Sequence, residues 1–187
     1  HVLDDDWYRA RTPDFSRITV PLLSAANWGG AGLHLRGNIE GFLAAASGSK
    51  FLSFHVGTHF ESFYLPDYVA LQKRFFDRYL KEIDNCWETE PRIRMAVRRP
   101  DGTTPRAETE WPLARTEWTP YFLDAASQTM AVSAPDAANT EFQALGDGVT
   151  FHTAPFEAET EFTGPVAARL FMSSSTADLD VFATLRL

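Results

Sequence analysis

Short apolar runs alternate with helical patterns over the first half of the chain. Residues 51–56, FLSFHV, and residues 18–25, ITVPLLSA, are apolar runs of strand length. Residues 34–46 have a helical pattern, and in residues 66–84 apolar side chains recur at spacings of three and four. Strands that alternate with helices are typical of a parallel sheet covered by crossover helices, so this half is predicted to be α/β.

The pattern changes after Trp87 to alternation of apolar and polar residues, the period of strands with one buried face. The candidate strands are residues 93–98, 117–123, 129–133, 156–162 and 179–187, with a turn signal, PDG, at 100–102. Because no convincing helical period follows, this half is predicted to be an antiparallel sandwich. The sequence therefore predicts two domains, residues 1–88 and 89–187.

Composition and charge argue against two classes of partner. The 187 residues carry a net charge of -8 with acidic residues spread along the sequence, which argues against a nucleic-acid surface. No apolar stretch approaches the roughly 20 residues of a membrane-spanning helix, so no membrane partner is expected. Cys86 is the single cysteine, which excludes an internal disulfide and a multi-cysteine zinc site but leaves the compartment open.

His59 is the first candidate for chemistry, because it follows a predicted buried strand and precedes the clearest predicted helix. In α/β hydrolases the catalytic histidine lies on the loop after the last strand, so His59 is a candidate general base. The alternative is a loop histidine satisfied by local hydrogen bonds, and the sequence leaves both open. No Gly-x-Ser-x-Gly motif occurs, so the nucleophile of such an enzyme would lie outside this chain.

No metal site is expected. His55 and His59 are four residues apart, a spacing that presents two ligands to one metal only on a helix, and the first of them lies in a predicted strand. No third ligand accompanies them. Glu157, Glu159 and Glu161 could bind calcium, but an acidic stripe on a strand is more often solvated or paired with arginines of a neighbouring strand.

Trp28 is a candidate substrate contact. It begins a loop, with GGAG at 29–32, at the predicted carboxyl end of a strand, where α/β sheets bind ligands. The loop lacks the Lys and Ser or Thr of a phosphate-binding loop. Packing of Trp28 in the core explains its presence equally well.

Four motifs in order resemble the CocE/NonD hydrolases, the cocaine esterase and X-Pro dipeptidyl-peptidase group. They are VPLLSAANWGGAGLHLRGN at 20–38, HVGTH at 55–59, LQKRFFDRYL at 71–80 and WPLARTEW at 111–118. The resemblance implies the C-terminal part of an α/β-hydrolase domain followed by an incomplete jelly-roll sandwich that helps to shape the substrate cleft. It also implies a Ser, Asp, His triad in which His59 is the histidine and the serine lies outside this chain.

One departure from the family leaves the triad acid unassigned. Relatives carry a Gly-Trp-Tyr-Asp-like turn after the first of these strands, and here Gly30 stands where the aspartate is expected. The acid could come from another part of the protein, from Glu40 or Glu61, or be absent.

No cofactor is expected, and the resemblance implies a small ester or peptide-like substrate. Because the chain opens on His1, it is expected to be a fragment whose partner is the N-terminal part of the same protein, and self-association is a further possibility. The rival function is a non-catalytic sandwich module that binds carbohydrate or a protein through aromatic residues such as Trp111, Trp118 and Tyr121.

Overall fold

The computed structural model describes residues 5–28 and 34–186, in two compact units, His1–Ala114 and Arg115–Leu187. The elements of the first unit are α1 Asp6–Arg9, β1 Leu22–Asn27, α2 Leu35–Ala44, β2 Lys50–His55, α3 Glu61–Tyr64, α4 Pro66–Lys81, β3 Ile93–Arg99 and β4 Gly102–Glu108, with 3-10 helices at Phe15–Arg17 and Trp87–Thr89. The two strands and two helices predicted for the first half are therefore confirmed, with shifted boundaries.

A mixed four-stranded sheet in the order β1-β2-β3-β4 forms the centre of the first unit. β1 and β2 are parallel, in a register that runs from Leu22 beside Lys50 to Asn27 beside His55. β3 is parallel to β2, and β4 returns beside β3 as an antiparallel hairpin. The turn predicted at 100–102 closes this hairpin.

A helix covers each face of the sheet, because successive side chains of a strand point to opposite faces. Leu52 and Phe54 of β2 belong to one cluster, which α2 joins through Phe42. Phe51 packs against the other cluster, which α4 joins through Leu71. The predicted packing of the long amphipathic helix on the sheet is confirmed. The buried residues of the two clusters are Ala26, Phe42, Leu52, Phe54, Ile93, Met95, Trp111 and Leu113, and Leu71, Phe75 and Trp87.

Two proline residues explain element boundaries in this unit. β1 begins at Leu22 rather than near residue 18, since Pro21 has no N–H to donate to a strand ladder. Pro66 occupies the first turn of α4, where a missing N–H removes no helical hydrogen bond. The helix ends before Glu82, whose φ of 55° is left-handed.

The second unit contains a short antiparallel pair, β5 Phe122–Asp124 and β6 Thr129–Ala131. The carboxylate of Asp124 organises the turn between them by accepting hydrogen bonds from the Ser127 hydroxyl and from the backbone N–H of Ala126. These bonds hold the pKa of Asp124 below its usual value. The backbone of His152 bridges to β6.

The second unit is less regular than the sequence predicts. The alternating segments 156–162 and 179–186 form no strand in the structure, so these two predictions are wrong for the described residues. Alternation determines which face a strand presents, whereas a ladder also requires a partner strand to complete its hydrogen bonds. The observed architecture is a mixed sheet with helices, plus an antiparallel pair.

The compact units do not coincide with the predicted domains. Residues 89–114 belong to the first unit, because β3 and β4 extend its sheet. The division into domains at residue 88 therefore stays a prediction. None of the helices in the described part of the chain is long and apolar enough to span a lipid bilayer.

Two leucines of α4 provide a test of this packing. Leu71 is 6% exposed and Leu80 is 74% exposed. Replacing Leu71 by Ala should destabilise the protein by about 2–5 kcal/mol through lost burial and a residual cavity. Leu80→Ala, the matched control, should change stability by less than about 0.5 kcal/mol. Urea unfolding of both variants measures the difference, and equal losses would contradict the orientation of α4.

Candidate active site

The loop between β2 and α3 carries His59. β2 ends at His55, and His59 lies in the turn just before Glu61 begins α3. Because β1 and β2 are parallel, the carboxyl end of β2 is at the edge where open α/β sheets bind ligands. His59 is exposed there. The structure thus places this histidine at the predicted edge, and its role as a general base stays a prediction.

The His59 loop is held by contacts on both sides. The backbone N–H of Thr58 donates to Oε2 of Glu61 at 3.2 Å. Asn27, at the end of β1, donates its Nδ2 to the Thr58 carbonyl at 3.0 Å. Gly57 has a φ of +95°, and a Cβ added there would lie 2.7 Å from the same Glu61 oxygen. The chain therefore leaves β2 along a path that glycine permits and that two polar side chains fix.

His34, which immediately precedes α2, is a second histidine at this edge. Its ring centroid lies 4.9 Å from that of His59, with 40° between the ring planes. Both residues are exposed, and neither imidazole hydrogen-bonds to any residue within 5–28 and 34–186. His34 was not among the candidate functional residues predicted from the sequence. The sequence did contain a signal for it: His34 lies between the first strand and the helix that follows, just as His59 lies between the second strand and its helix.

The triad acid stays unassigned. Glu61 directs its carboxylate to the Thr58 amide, and Glu40 is exposed on α2. Among the described residues, no carboxylate hydrogen-bonds to His59. Gly30, the position at which relatives carry the acid, lies outside the described residues together with the rest of segment 29–33.

His55 is a core histidine rather than a partner of His59 in a metal site. It is 7% exposed, its Nδ1 has no hydrogen-bond partner, and its ring lies 5.8 Å from that of Tyr68. Burial lowers the pKa of His55 because a charged imidazolium would lose its hydration; a bond to the Ser53 backbone opposes this effect. No group of three or more His, Cys, Asp or Glu able to hold a metal occurs in the described part of the chain.

Trp28 is half-buried and packs against the core cluster of the first unit. Its ring stacks on Phe54 with centroids 4.4 Å apart and 11° between planes, and it meets Trp111 edge-on at 6.2 Å. These contacts support the core-packing interpretation. Contact of Trp28 with a substrate stays a prediction.

Glu90, which precedes β3, forms ion pairs with one arginine of α4 and one of β3 and was not predicted from the sequence. Its side chain is 9% exposed and forms ion pairs with Arg74 and, at 2.6 Å, with Arg94. A carboxylate shared by two guanidinium groups connects α4 to β3. The predicted pairing of such arginines with the acidic segment around Glu159 is not tested by this contact.

Comparison with known proteins identifies the family. Residues 85–187, more than half of the chain, match the model of the X-Pro dipeptidyl-peptidase C-terminal non-catalytic domain. The chain belongs to this family.

Relatives of this chain include cocaine esterase and a CocE/NonD family hydrolase, as the motifs predict. Cocaine esterase from Rhodococcus sp. (strain MB1 Bresler) is 27% identical over 160 residues, which are 65% of this chain and 28% of that protein. Two crystal structures of a CocE/NonD family hydrolase from Staphylococcus aureus are 38% identical, with a TM-score of 0.67, over 71% of this chain and 24% of that one. The chain thus spans about a quarter of the length of these relatives.

Glycine substitutions test the preorganised loop. Gly57→Ala should destabilise the protein by about 1–2 kcal/mol, because alanine is strained at a positive φ. Gly48→Ala is the control, since nothing lies within 4 Å of a Cβ there and its φ is not in the left-handed region. Thermal unfolding of both variants measures the effect. Equal stability of the two variants would contradict the strained path at Gly57.

The pKa of His55 predicts a pH dependence of stability. Because that pKa is lowered from 6.5 in the folded protein, the unfolded chain binds the proton more readily. The contribution of neutral, buried His55 to the free energy of unfolding is therefore fully present above about pH 6.5. It is lost as the pH falls through the lowered pKa of the folded protein. Urea unfolding between pH 7.5 and 5 should show a smaller loss of stability for His55→Gln than for the unmodified protein. His152→Gln, at an exposed histidine, should retain the full loss.

Proposed function

We propose that the protein containing this chain is a hydrolase that cleaves ester or amide bonds, with His59 as its general base. The observation that carries the proposal is an exposed imidazole at the carboxyl edge of a parallel strand pair, on a loop fixed by Asn27 and Glu61. The similarity of the chain to CocE/NonD hydrolases supports the reaction class. The nucleophilic serine would come from a segment outside this chain.

The proposed chemistry is acyl transfer in two steps. His59 takes the proton of the serine hydroxyl as its oxygen attacks the substrate carbonyl, and returns the proton to the leaving alcohol or amine. In the second step His59 takes a proton from water, whose oxygen attacks the acyl-enzyme. His59 then returns that proton to the serine oxygen as the acyl–oxygen bond breaks and the acid leaves. The two hydrogen bonds that position the His59 loop support this assignment, since misplacement of a catalytic base by an ångström costs much of the rate.

The fold supports a separate role for each half of the chain. We propose that residues 1–88 are the C-terminal part of an α/β-hydrolase domain, because parallel strands covered by helices on both faces are the architecture of such sheets. Residues 89–187 would belong to a jelly-roll sandwich that shapes the cleft without contributing chemistry. The description of the matched family as non-catalytic supports this role.

The rival function, a binding module without catalysis, has weaker support. Trp111, one of the three aromatic residues that such a module would present, is 7% exposed and belongs to the core of the first unit. Trp118 is 66% exposed, but a single exposed tryptophan does not make a recognition surface.

Exposed apolar side chains support an association with further protein. The side chains of Phe60 and Tyr64, at the two ends of α3, and of Leu80, on α4, are each more than 70% exposed. A neighbouring protein surface that covered such side chains would remove their apolar area from water. We propose that the N-terminal part of the same protein is the partner, with self-association as the second possibility.

Replacement of His59 tests the function. In the full-length protein, His59→Ala should lower kcat on an activated ester by about 10²–10⁴-fold through loss of general-base catalysis. His152→Ala changes an exposed histidine of the second unit and should leave kcat unchanged. The 187-residue chain alone should not hydrolyse the ester above background. Full turnover by His59→Ala would refute the proposal.

A further inference from the structure

His34 and His59 reach the same place from different parts of the fold. His34 follows β1 and immediately precedes α2, whereas His59 follows β2. Because β1 and β2 are parallel and end in register at Asn27 and His55, both histidines lie at one edge of the sheet. The convergence of two imidazoles is therefore a product of the tertiary fold rather than of sequence spacing.

The distance between the rings suits a shared metal ion. An imidazole nitrogen lies about 2.0–2.1 Å from a bound zinc ion, and the ring centroid lies about 1.1 Å behind that nitrogen. With a near-tetrahedral angle at the metal, two coordinating imidazoles have centroids roughly 5 Å apart. The centroids of His34 and His59 are 4.9 Å apart, and the angle of 40° between their planes is not that of parallel stacking.

Both rings belong to exposed residues whose imidazoles have no hydrogen-bond partner within residues 5–28 and 34–186. His34 also makes no side-chain bond to the N-terminus of α2. The carboxylate of Glu61, held by the Thr58 amide on the same loop, adds negative charge nearby.

We propose that His34 and His59 form a two-imidazole site for a divalent transition-metal cation of the zinc type. Two protein ligands leave the remaining coordination positions to water, so the ion exchanges with solvent instead of being locked in as in a four-ligand structural site. A metal on His59 occupies the nitrogen that would accept the serine proton. Binding therefore inhibits hydrolysis, and this consequence, unlike the site itself, rests on the proposed function.

Calorimetric titration with zinc chloride tests the site in the full-length protein. We expect saturable binding that is weakened by about tenfold or more in His34→Gln and in His59→Gln, because each removes one of two ligands. His152→Gln is the control and should bind like the unmodified protein. Circular dichroism verifies that each variant is folded. Unweakened binding by either site variant, or no saturable binding by the unmodified protein, overturns the proposal.

Ester hydrolysis tests the inhibitory consequence separately. Zinc should inhibit the unmodified protein, and a chelator should restore its rate. His34→Gln should need about tenfold more zinc for half-inhibition, measured against its own zinc-free rate. Binding at the pair without inhibition overturns the inhibitory part and supports the site. Zinc binding by a protein that lacks esterase activity counts against the proposed hydrolase and leaves the site supported.

Discussion

The parallel pairing of β1 with β2 is the constraint on which the candidate site depends. Six consecutive residue pairs, from Leu22 and Lys50 to Asn27 and His55, set the register of the two strands. Since a slip of one residue would turn each side chain to the opposite face, the same register that buries Phe54 also brings the two strand ends level. Asn27 can then reach Thr58, and the histidines that follow each strand can meet.

Burial on both faces makes this register unique. Phe54 lies in the cluster on one face, and Phe51 packs against Trp87 on the other, so neither face tolerates a shift. Lys50, at the start of β2, donates to the carbonyls of Leu43 and Ala45 at the end of α2, 2.8 Å from each. These contacts position the start of the strand, while the Glu61 contact positions the loop that leaves its end.

Much of the first half could be predicted, because its signals are local. The apolar run ending at Val56 and the spacing in α4 each identify an element without reference to the rest of the fold. β4 was not predicted, since GTTPRAE has neither apolar alternation nor a favourable proline; it forms because β3 offers it a hairpin partner. His34 was overlooked for a similar reason, as its significance arises only from the pairing of β1 with β2.

The second half shows the limit of pattern analysis. Alternation around Phe156 and Leu179 resembles a strand, but periodicity contains no information about which segment would supply the hydrogen bonds. The described residues there form one short pair, β5 and β6. Family membership, in contrast, could be recognised from four short motifs, because residue identities in a fixed order can be compared without reference to secondary structure.

β1 is an edge strand of the described sheet, with β2 on one side only. The backbone groups along its outer side are a template on which a further strand can grow. If that strand ran parallel to β1, its last residues would emerge level with Asn27, at the rim shared by the two histidines. A segment that paired with the outer edge of β1 would therefore place the side chain after its last residue close to His59.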